Sequence, residues 1–144
     1  MRISFNEYCM EIAHVVSKRS TCARRPVGAV AVDKYGHIIS TGFNGVPSGV
    51  AHCIDNPCFT ERPAQGELLD ECKALHAEQN LITHSVNPMM IKKVFVTLSP
   101  CMSCAKLLAA TKVETVYYDE AYNNLDSVKS YLHSCGIMIQ YYKQ

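Results

Sequence analysis

The chain has 144 residues, with 14 Lys and Arg against 13 Asp and Glu, so its formal net charge is only +1. This length suits one compact domain, and we expect residues 1–144 to form it. The even charge balance argues against a long nucleic acid as a partner. No stretch resembles an export signal or a membrane span, so we expect a soluble protein of the cytoplasm, or of a host's cytoplasm if a phage encodes it. The eight cysteines then predict thiols and metal ligands rather than disulfides.

The first third of the chain predicts a helix followed by a hairpin. Ser4 and Glu7 have the spacing of a capping box, and we expect a helix from there to about Ser20. Two short β-rich runs at 27–32 and 38–41 flank the turn-forming residues 33–36, which predicts an antiparallel hairpin. The helix repeats apolar residues at helical spacing, and this stripe is predicted to face the core: Phe5, Tyr8, Cys9, Ile12, Val15 and Val16.

Helices and strands alternate after a long loop at 42–73. Helices are predicted at 75–83, at 100–110 with Pro100 in the first turn, and at 125–135 before Gly136; strands are predicted at 91–98, 115–118 and 137–142. Strands separated by helices pair in parallel through right-handed crossovers, whereas the hairpin is antiparallel. We therefore expect an α/β fold with three layers, in which helices cover both faces of a mixed five-stranded sheet.

Two short motifs point to a metal site. His76 stands at the start of one predicted helix, and Cys101 and Cys104 stand at the start of the next. One imidazole and two thiolates are three ligands for a tetrahedral zinc ion, which leaves the fourth position to water. The positive ends of both helices favour the thiolate forms. Glu78 follows His76 by two residues and points elsewhere, so we expect it to carry protons rather than bind the metal.

This combination of His-x-Glu with Pro-Cys-x-x-Cys resembles the signature of the zinc nucleobase deaminases. In that chemistry zinc lowers the pKa of its water, the water attacks an amidine-like ring carbon, and Glu78 passes the proton to the ring nitrogen and then to the departing amine. The alternative is a non-catalytic zinc-binding module. A structural site would need a fourth protein ligand and would have no use for Glu78.

Longer segments are similar to the deoxycytidylate (dCMP) deaminases. They are Gly-Phe-Asn-Gly-Val-Pro-Ser-Gly at 42–49 and shorter matches at 27–29, 39–42, 76–80 and 97–101, in order along nearly the whole chain. The resemblance implies a cytidine-deaminase-like fold and hydrolysis of dCMP to dUMP, which feeds thymidylate synthesis. It also implies a homohexamer that dCTP with Mg²⁺ activates and dTTP inhibits. A tRNA adenosine deaminase shares the zinc motif and stays an alternative, against which the even charge and the 42–49 motif count.

The resemblance also implies roles around the base and sugar. It implies that Asn44 contacts the nucleotide, that the backbone of Ala77 reads the base, and that Tyr122 lies near the sugar–phosphate end. Asn44 could instead serve only the turn that Gly45 indicates, and Tyr122 could simply pack.

Phosphate recognition has its own candidates. Gly45 and Gly49 could let a triphosphate effector approach the backbone, or be plain loop glycines. Arg24 and Arg25 could meet a phosphate, or lie on the surface.

The remaining cysteines suggest a second metal. Cys22, Cys53, Cys58 and Cys72 lie in or beside the long loop, where four thiolates would close a structural zinc site and order residues 42–73. Some members of the family carry a second zinc near here, and His52 could replace one cysteine. The alternative is four independent buried thiols.

Overall fold

The computed structural model describes residues 1–22, 24–52 and 72–144. None of the helices in these ranges is long and apolar enough to cross a membrane. Within them the predicted order of helices and strands is confirmed: α1 (Phe5–Ser17), β1 (Gly28–Val32), β2 (Ile38–Phe43), α2 (Ala77–Thr83), β3 (Lys93–Leu98), α3 (Met102–Ala109), β4 (Thr115–Glu120), α4 (Leu125–Ser134) and β5 (Met138–Tyr141). A short 3₁₀ helix, Pro88–Met90, occupies the approach to β3.

The five strands form one mixed sheet in the order β2-β1-β3-β4-β5. Strand β1 is antiparallel to β2 and to β3, while β3, β4 and β5 are parallel. The predicted hairpin and the predicted parallel half are both confirmed. The carboxyl ends of β3 and β4 meet at one edge of the sheet, and the antiparallel β1 and β2 bring Gly28 and Phe43 to that edge as well.

Helices cover both faces of the sheet, as predicted, because side chains alternate between the faces along each strand. Helix α1 covers one face, where the buried cluster is Cys9, Met10, Ala13, Val30, Val32, Phe95 and Tyr117. Helices α2, α3 and α4 cover the other face, where the cluster includes Leu81, Leu108 and Leu132 against Ala29, Ala31, Val94, Val96 and Val116.

The predicted core stripe of α1 is partly wrong. Cys9 is buried as predicted, but Phe5, Tyr8 and Val15 are 40%, 44% and 61% exposed, and the other residues that the helix buries are Met10 and Ala13. The reason is close packing on β1: a Cβ atom on Gly28 would lie 2.1 Å from the carbonyl oxygen of Ala13. The small residues therefore decide which side of the helix faces the sheet.

Helix boundaries shift by a few residues. Helix α1 begins as predicted, with the Ser4 hydroxyl accepting the Glu7 N–H at 3.1 Å, but it ends at Ser17 rather than near Ser20. The prediction that Pro100 lies in the first turn of α3 is wrong. Cys101 is the N-cap in an extended conformation, and its sulfur accepts the backbone N–H of Cys104 at 3.4 Å, so Pro100 lies outside the helix.

Candidate active site

The three predicted zinc ligands lie together. His76 Nδ1 lies 3.2 Å from the sulfur of Cys104 and 3.5 Å from that of Cys101, and all three donor atoms lie within 4.8 Å of one another. In a tetrahedral zinc site, a nitrogen and a sulfur ligand lie roughly 3.6 Å apart, given their usual bond lengths to the metal. The donor set and its spacing therefore fit Zn²⁺.

Two helix starts bring these ligands together. His76 is the N-cap of α2 and Cys101 is the N-cap of α3, so the partial positive charge of both helix ends lies at the site. The backbone N–H of His76 donates to Gln79 Oε1 at 2.7 Å, as in a capping box. Leu75 pairs with Gly45 through two backbone hydrogen bonds of 2.9 and 3.1 Å, which joins His76 to the loop after β2. The sequence analysis missed Gln79, although its spacing from the N-cap was a signal.

The two thiols differ in their acidity. The pKa of Cys101 is lowered to about 4, because its sulfur accepts a hydrogen bond from the Cys104 thiol and interacts with His76. The pKa of Cys104 is raised, because its thiol donates that hydrogen bond and is buried. A divalent cation bound by both sulfurs displaces the proton that they share.

Glu78 lies in α2 beside the ligand cluster. Its side chain is only 4% exposed, and burial raises its pKa to about 7. A carboxyl group with a pKa near neutrality can both take up and return a proton under physiological conditions. This arrangement suits the role predicted for Glu78.

An open cleft lies at the sheet edge where β3 and β4 end. It brings Glu78 and the zinc ligands His76 and Cys101 together with the three residues predicted to bind nucleotide, which are Asn44, Ala77 and Tyr122. The cleft is the place where a nucleotide base could meet the metal site.

Asn44 is bonded to the segment that precedes β1. Its Oδ1 accepts the backbone N–H of Val27 at 2.9 Å, and its Nδ2 donates to the carbonyl oxygen of Arg25 at 2.6 Å. Ser20 lies three residues after the end of α1, and its hydroxyl donates to the carbonyl oxygen and to Oδ1 of Asn44. Asn44 therefore lines the cleft and also fixes the backbone of Arg25 and Val27, which line it too. Sequence reasoning missed Ser20, since no local pattern links it to a residue so far along the chain.

Tyr122 is held at the cleft by a buried serine. Its backbone N–H donates to the hydroxyl of Ser99 at 2.7 Å, and the N–H of Ser99 donates to the carbonyl oxygen of Glu120 at 2.8 Å. Ser99 is only 3% exposed and directly follows β3. A polar residue at the carboxyl end of a buried parallel strand is a signal that could have identified it.

The two adjacent arginines at the cleft have different partners. Arg25 forms an ion pair with the carboxylate of Glu120. Arg24 Nη1 is buried and has no hydrogen-bond partner among the described residues. A buried guanidinium nitrogen left unpaired is unfavourable, so an anionic ligand at Arg24 would stabilise it.

Of the four cysteines predicted to form a second metal site, Cys22 and Cys72 line this cleft. Cys53 and Cys58 lie outside the described residues. The His76, Cys101 and Cys104 cluster is the one group of potential metal ligands found in the described ranges. The four-cysteine site therefore stays a prediction.

The glycines predicted to be regulatory have local reasons for being glycine. A Cβ atom on Gly45 would lie 2.9 Å from Thr21 Oγ1, and Gly49 has a φ of +93°, which disfavours other residues. The backbone N–H and carbonyl of Gly45 already pair with Leu75. A role of either glycine in effector binding stays a prediction.

Comparison with known proteins agrees with this geometry. The sequence profile of the cytidine and deoxycytidylate deaminase zinc-binding region matches residues 3–120. The chain is 31% identical to the deoxycytidylate deaminase of Schizosaccharomyces pombe, over 98% of this chain but only 45% of that relative's length. It is 35% identical to the deoxycytidylate deaminase of Mycobacterium phage D29, over 81% of this chain and 95% of the phage protein.

A solved structure of a dCMP deaminase is also similar to this chain. The dCMP deaminase of cyanophage S-TIM5, in complex with dCMP and dUMP, is 30% identical and matches with a TM-score of 0.75, over 97% of this chain and 98% of that one. Zn²⁺ is the metal that the His76, Cys101 and Cys104 cluster suits. The chain belongs to the cytidine and deoxycytidylate deaminase zinc-binding family.

Proposed function

We propose that this protein hydrolyses dCMP to dUMP and ammonia. The observation that carries the proposal is the meeting, in one cleft, of a three-ligand metal site, the buried Glu78 and the unpaired nitrogen of Arg24. The three features suit water activation, proton transfer and phosphate binding respectively. The relatives named deoxycytidylate deaminase, and the cyanophage structure with dCMP and dUMP, support this substrate.

The chain's own residues account for the proton steps. His76, Cys101 and Cys104 would hold Zn²⁺, and the bound ion would supply a water activated for attack at neutral pH. Glu78 takes the first proton of the attacking water and delivers it to N3 of the cytosine ring, where it stays. Glu78 then takes the second proton from the new hydroxyl at C4 and delivers it to the amino group, and the C4 carbonyl forms. The C4–N bond breaks and ammonia leaves. One water is consumed, so dCMP becomes dUMP without any other reactant.

The base and the sugar–phosphate lie at different parts of the cleft in this proposal. Ala77 is the first residue of α2, so its backbone N–H has no acceptor within the helix and can donate to an oxygen of the base. Arg24 binds the 5′-phosphate, and Tyr122 lies between them along the wall. Asn44 contacts the sugar while it holds the wall.

A deamination assay tests the proposal. The zinc-loaded protein is offered dCMP, CMP, dCTP and deoxycytidine, and the release of ammonia is measured. We expect the highest kcat/KM for dCMP: it exceeds deoxycytidine because only the nucleotide has a phosphate to pair with Arg24, and it exceeds CMP and dCTP as the names of the deoxycytidylate deaminase relatives indicate. If the zinc-loaded protein releases no ammonia from dCMP, the proposed function is wrong.

Regulation and assembly are proposals that rest on the family resemblance. We infer activation by dCTP with Mg²⁺, inhibition by dTTP, a homohexamer of one-domain subunits, and a cytoplasmic location. Adding dCTP or dTTP to the same assay tests the effectors, and the mass in solution tests the assembly. A second zinc, held by Cys22, Cys53, Cys58 and Cys72, is a further proposal; the position of Cys22 and Cys72 on one cleft supports it.

A further inference from the structure

The side chain of Ser20 joins three parts of the chain. Its hydroxyl lies 2.5 Å from Asn44 Oδ1 and 2.9 Å from the Asn44 carbonyl oxygen, and it accepts the backbone N–H of Cys22 at 3.2 Å. A hydroxyl has one hydrogen, so Ser20 donates to Asn44 while it accepts from Cys22. It therefore ties residues 20–22, which follow α1, to the loop after β2.

The amide of Asn44 makes a second attachment, to residues 25–27. It accepts from Val27 and donates to Arg25, so it binds the backbone on either side of Pro26. Because Oδ1 receives both the Ser20 hydroxyl and the Val27 N–H, the two donors together determine which end of the amide faces the segment. Without the Ser20 hydroxyl, Asn44 Oδ1 keeps only the Val27 N–H as a donor, so the amide is held less firmly.

Arg24 lies between the points of attachment. Ser20 bonds to Cys22 on one side of it, and Asn44 bonds to Arg25 and Val27 on the other. Among the residues that the structure describes, Arg24 lines the cleft and its buried Nη1 has no hydrogen-bond partner, whereas Ser20 does not line the cleft. Any effect of Ser20 on the substrate must therefore pass either through Asn44, which lines the cleft, or through the residues next to Arg24, and only the second route depends on the phosphate.

We propose that Ser20 is a positioning residue for the substrate phosphate: through Asn44, which bonds to the backbone of Arg25 and Val27, it fixes residues 24–27 and so holds Arg24 at the cleft. This inference rests on the proposed function, because it assigns the phosphate of dCMP to Arg24. The gain is one of preorganisation, since a guanidinium already held in place loses less conformational freedom when it binds a phosphate.

The test compares substrates with and without the phosphate. Ser20→Ala should lower kcat/KM for dCMP roughly three- to tenfold, the loss expected for one net hydrogen bond. Most of that loss should appear in KM, with kcat at saturating dCMP unchanged within about twofold, since the metal site and Glu78 are untouched. Activity on deoxycytidine should stay within the same factor of about two, and Ser20→Thr, which keeps the hydroxyl, should restore dCMP activity.

A double variant sharpens the test. If Ser20 acts through Arg24, then Ser20→Ala combined with Arg24→Ala should be no worse on dCMP than Arg24→Ala alone. If deoxycytidine is turned over too slowly to measure, the inhibition constants of dUMP and deoxyuridine give the same comparison. These two product molecules also differ only in the 5′-phosphate. If Ser20→Ala does not fold, Ser20→Cys keeps the size of the side chain with a weaker hydrogen bond.

Three results would overturn the inference: equal losses on dCMP and deoxycytidine, losses that add in the double variant, or no loss at all. The wild-type protein separates this failure from failure of the proposed function. An inactive wild type refutes dCMP deamination itself. A wild type that prefers dCMP, with the preference lost in Arg24→Ala but kept in Ser20→Ala, refutes only the role of Ser20.

Discussion

His76 Nδ1 lies 3.2 Å from the sulfur of Cys104, although 28 positions separate the two residues in the chain. The contact exists because His76 caps α2 and Cys104 lies in the first turn of α3, and both helices pack on the same face of the sheet. The metal site therefore depends on how these two helices are seated, as well as on the ligands themselves.

Glu78→Gln should abolish deamination while zinc stays bound. The amide keeps the size of the side chain but cannot take up a proton, so kcat should fall by about 10²- to 10⁴-fold. Activity and zinc content are measured on the same sample. Glu11→Gln is a matched control, since Glu11 is exposed on α1, and should leave both unchanged. Full activity in Glu78→Gln would disprove the proton-transfer role.

Arg24→Ala and Arg25→Ala should differ, although the two residues are neighbours. Loss of Arg24 removes the charge assigned to the phosphate and should raise KM for dCMP by about tenfold or more, as expected for a charge-assisted hydrogen bond. Arg25 forms an ion pair in which both side chains are largely exposed, and such pairs contribute little. Its variant should change KM by less than about threefold. Equal effects in steady-state kinetics would contradict the assignment of the phosphate to Arg24.

Gly42→Ala should disturb the metal site from a distance. A Cβ atom there would lie 2.4 Å from the carbonyl oxygen of Ala77 and 2.4 Å from the backbone nitrogen of Leu81, so α2 must move away from β2. Since α2 carries His76 and Glu78, the variant should lose both thermal stability and zinc affinity. Thr41→Ala, at the exposed neighbouring position, is the control and should alter neither. Normal zinc affinity in Gly42→Ala would show that α2 tolerates the shift.

Asp33 should make stability depend on acid pH. Backbone N–H groups of His37 and Tyr35 donate to its carboxylate and hold its pKa below the ordinary value of 3.8. A lowered pKa in the folded state means that the contribution is present above pH 3.8 and is lost as pH falls through the folded-state value.

Asp33→Asn should therefore be less stable than the wild type at neutral pH, and the difference should shrink in acid. Urea unfolding of both zinc-loaded proteins over this range measures it, and the effect of acid on the zinc ligands, common to both, cancels in the comparison. A difference that stays constant with pH would show that the charge of Asp33 contributes nothing.

Zinc content tests the second metal site. The protein should hold two zinc ions per chain, and Cys22→Ser or Cys72→Ser should reduce this to one without removing the catalytic ion. Cys135→Ser is the control, because Cys135 is exposed at the end of α4. One zinc per chain in the wild type would refute the four-cysteine site.

Short sequence motifs were enough to identify the metal ligands, because each ligand lies at or near the start of a helix. His76, Cys101 and Cys104 were found because a helix start is visible in sequence and because metal ligands are few in kind. Ser20 and Ser99 were missed, because their partners Asn44 and Tyr122 are brought to them by the fold and lie 24 and 23 positions away. Hydrogen bonds of this kind leave no periodic trace.

Helix α1 shows the same limit for packing. Its apolar spacing predicted the helix correctly, yet Tyr8 and Val15 lie outside the core. Hydrophobicity alone could not show that Gly28 allows Ala13 to approach β1 so closely, and this contact sets the rotation of the helix. Which of several apolar stripes is buried depends on the shape of the surface opposite.

Because β1 runs antiparallel to β3, the cleft and the turn of the hairpin lie at opposite ends of the strands. The two ends should differ in how well they tolerate changes of sequence. Among the described residues, the cleft is lined at the edge where β3 and β4 terminate, by residues such as Leu98, Ser99 and Tyr122. The opposite end holds the turn at 33–36, the 3₁₀ helix Pro88–Met90 and the connections at 110–114 and 135–137. Insertions, labels or fusion partners placed in those four connections should leave the chemistry intact, which makes that end the natural attachment point for immobilising or tracking the protein.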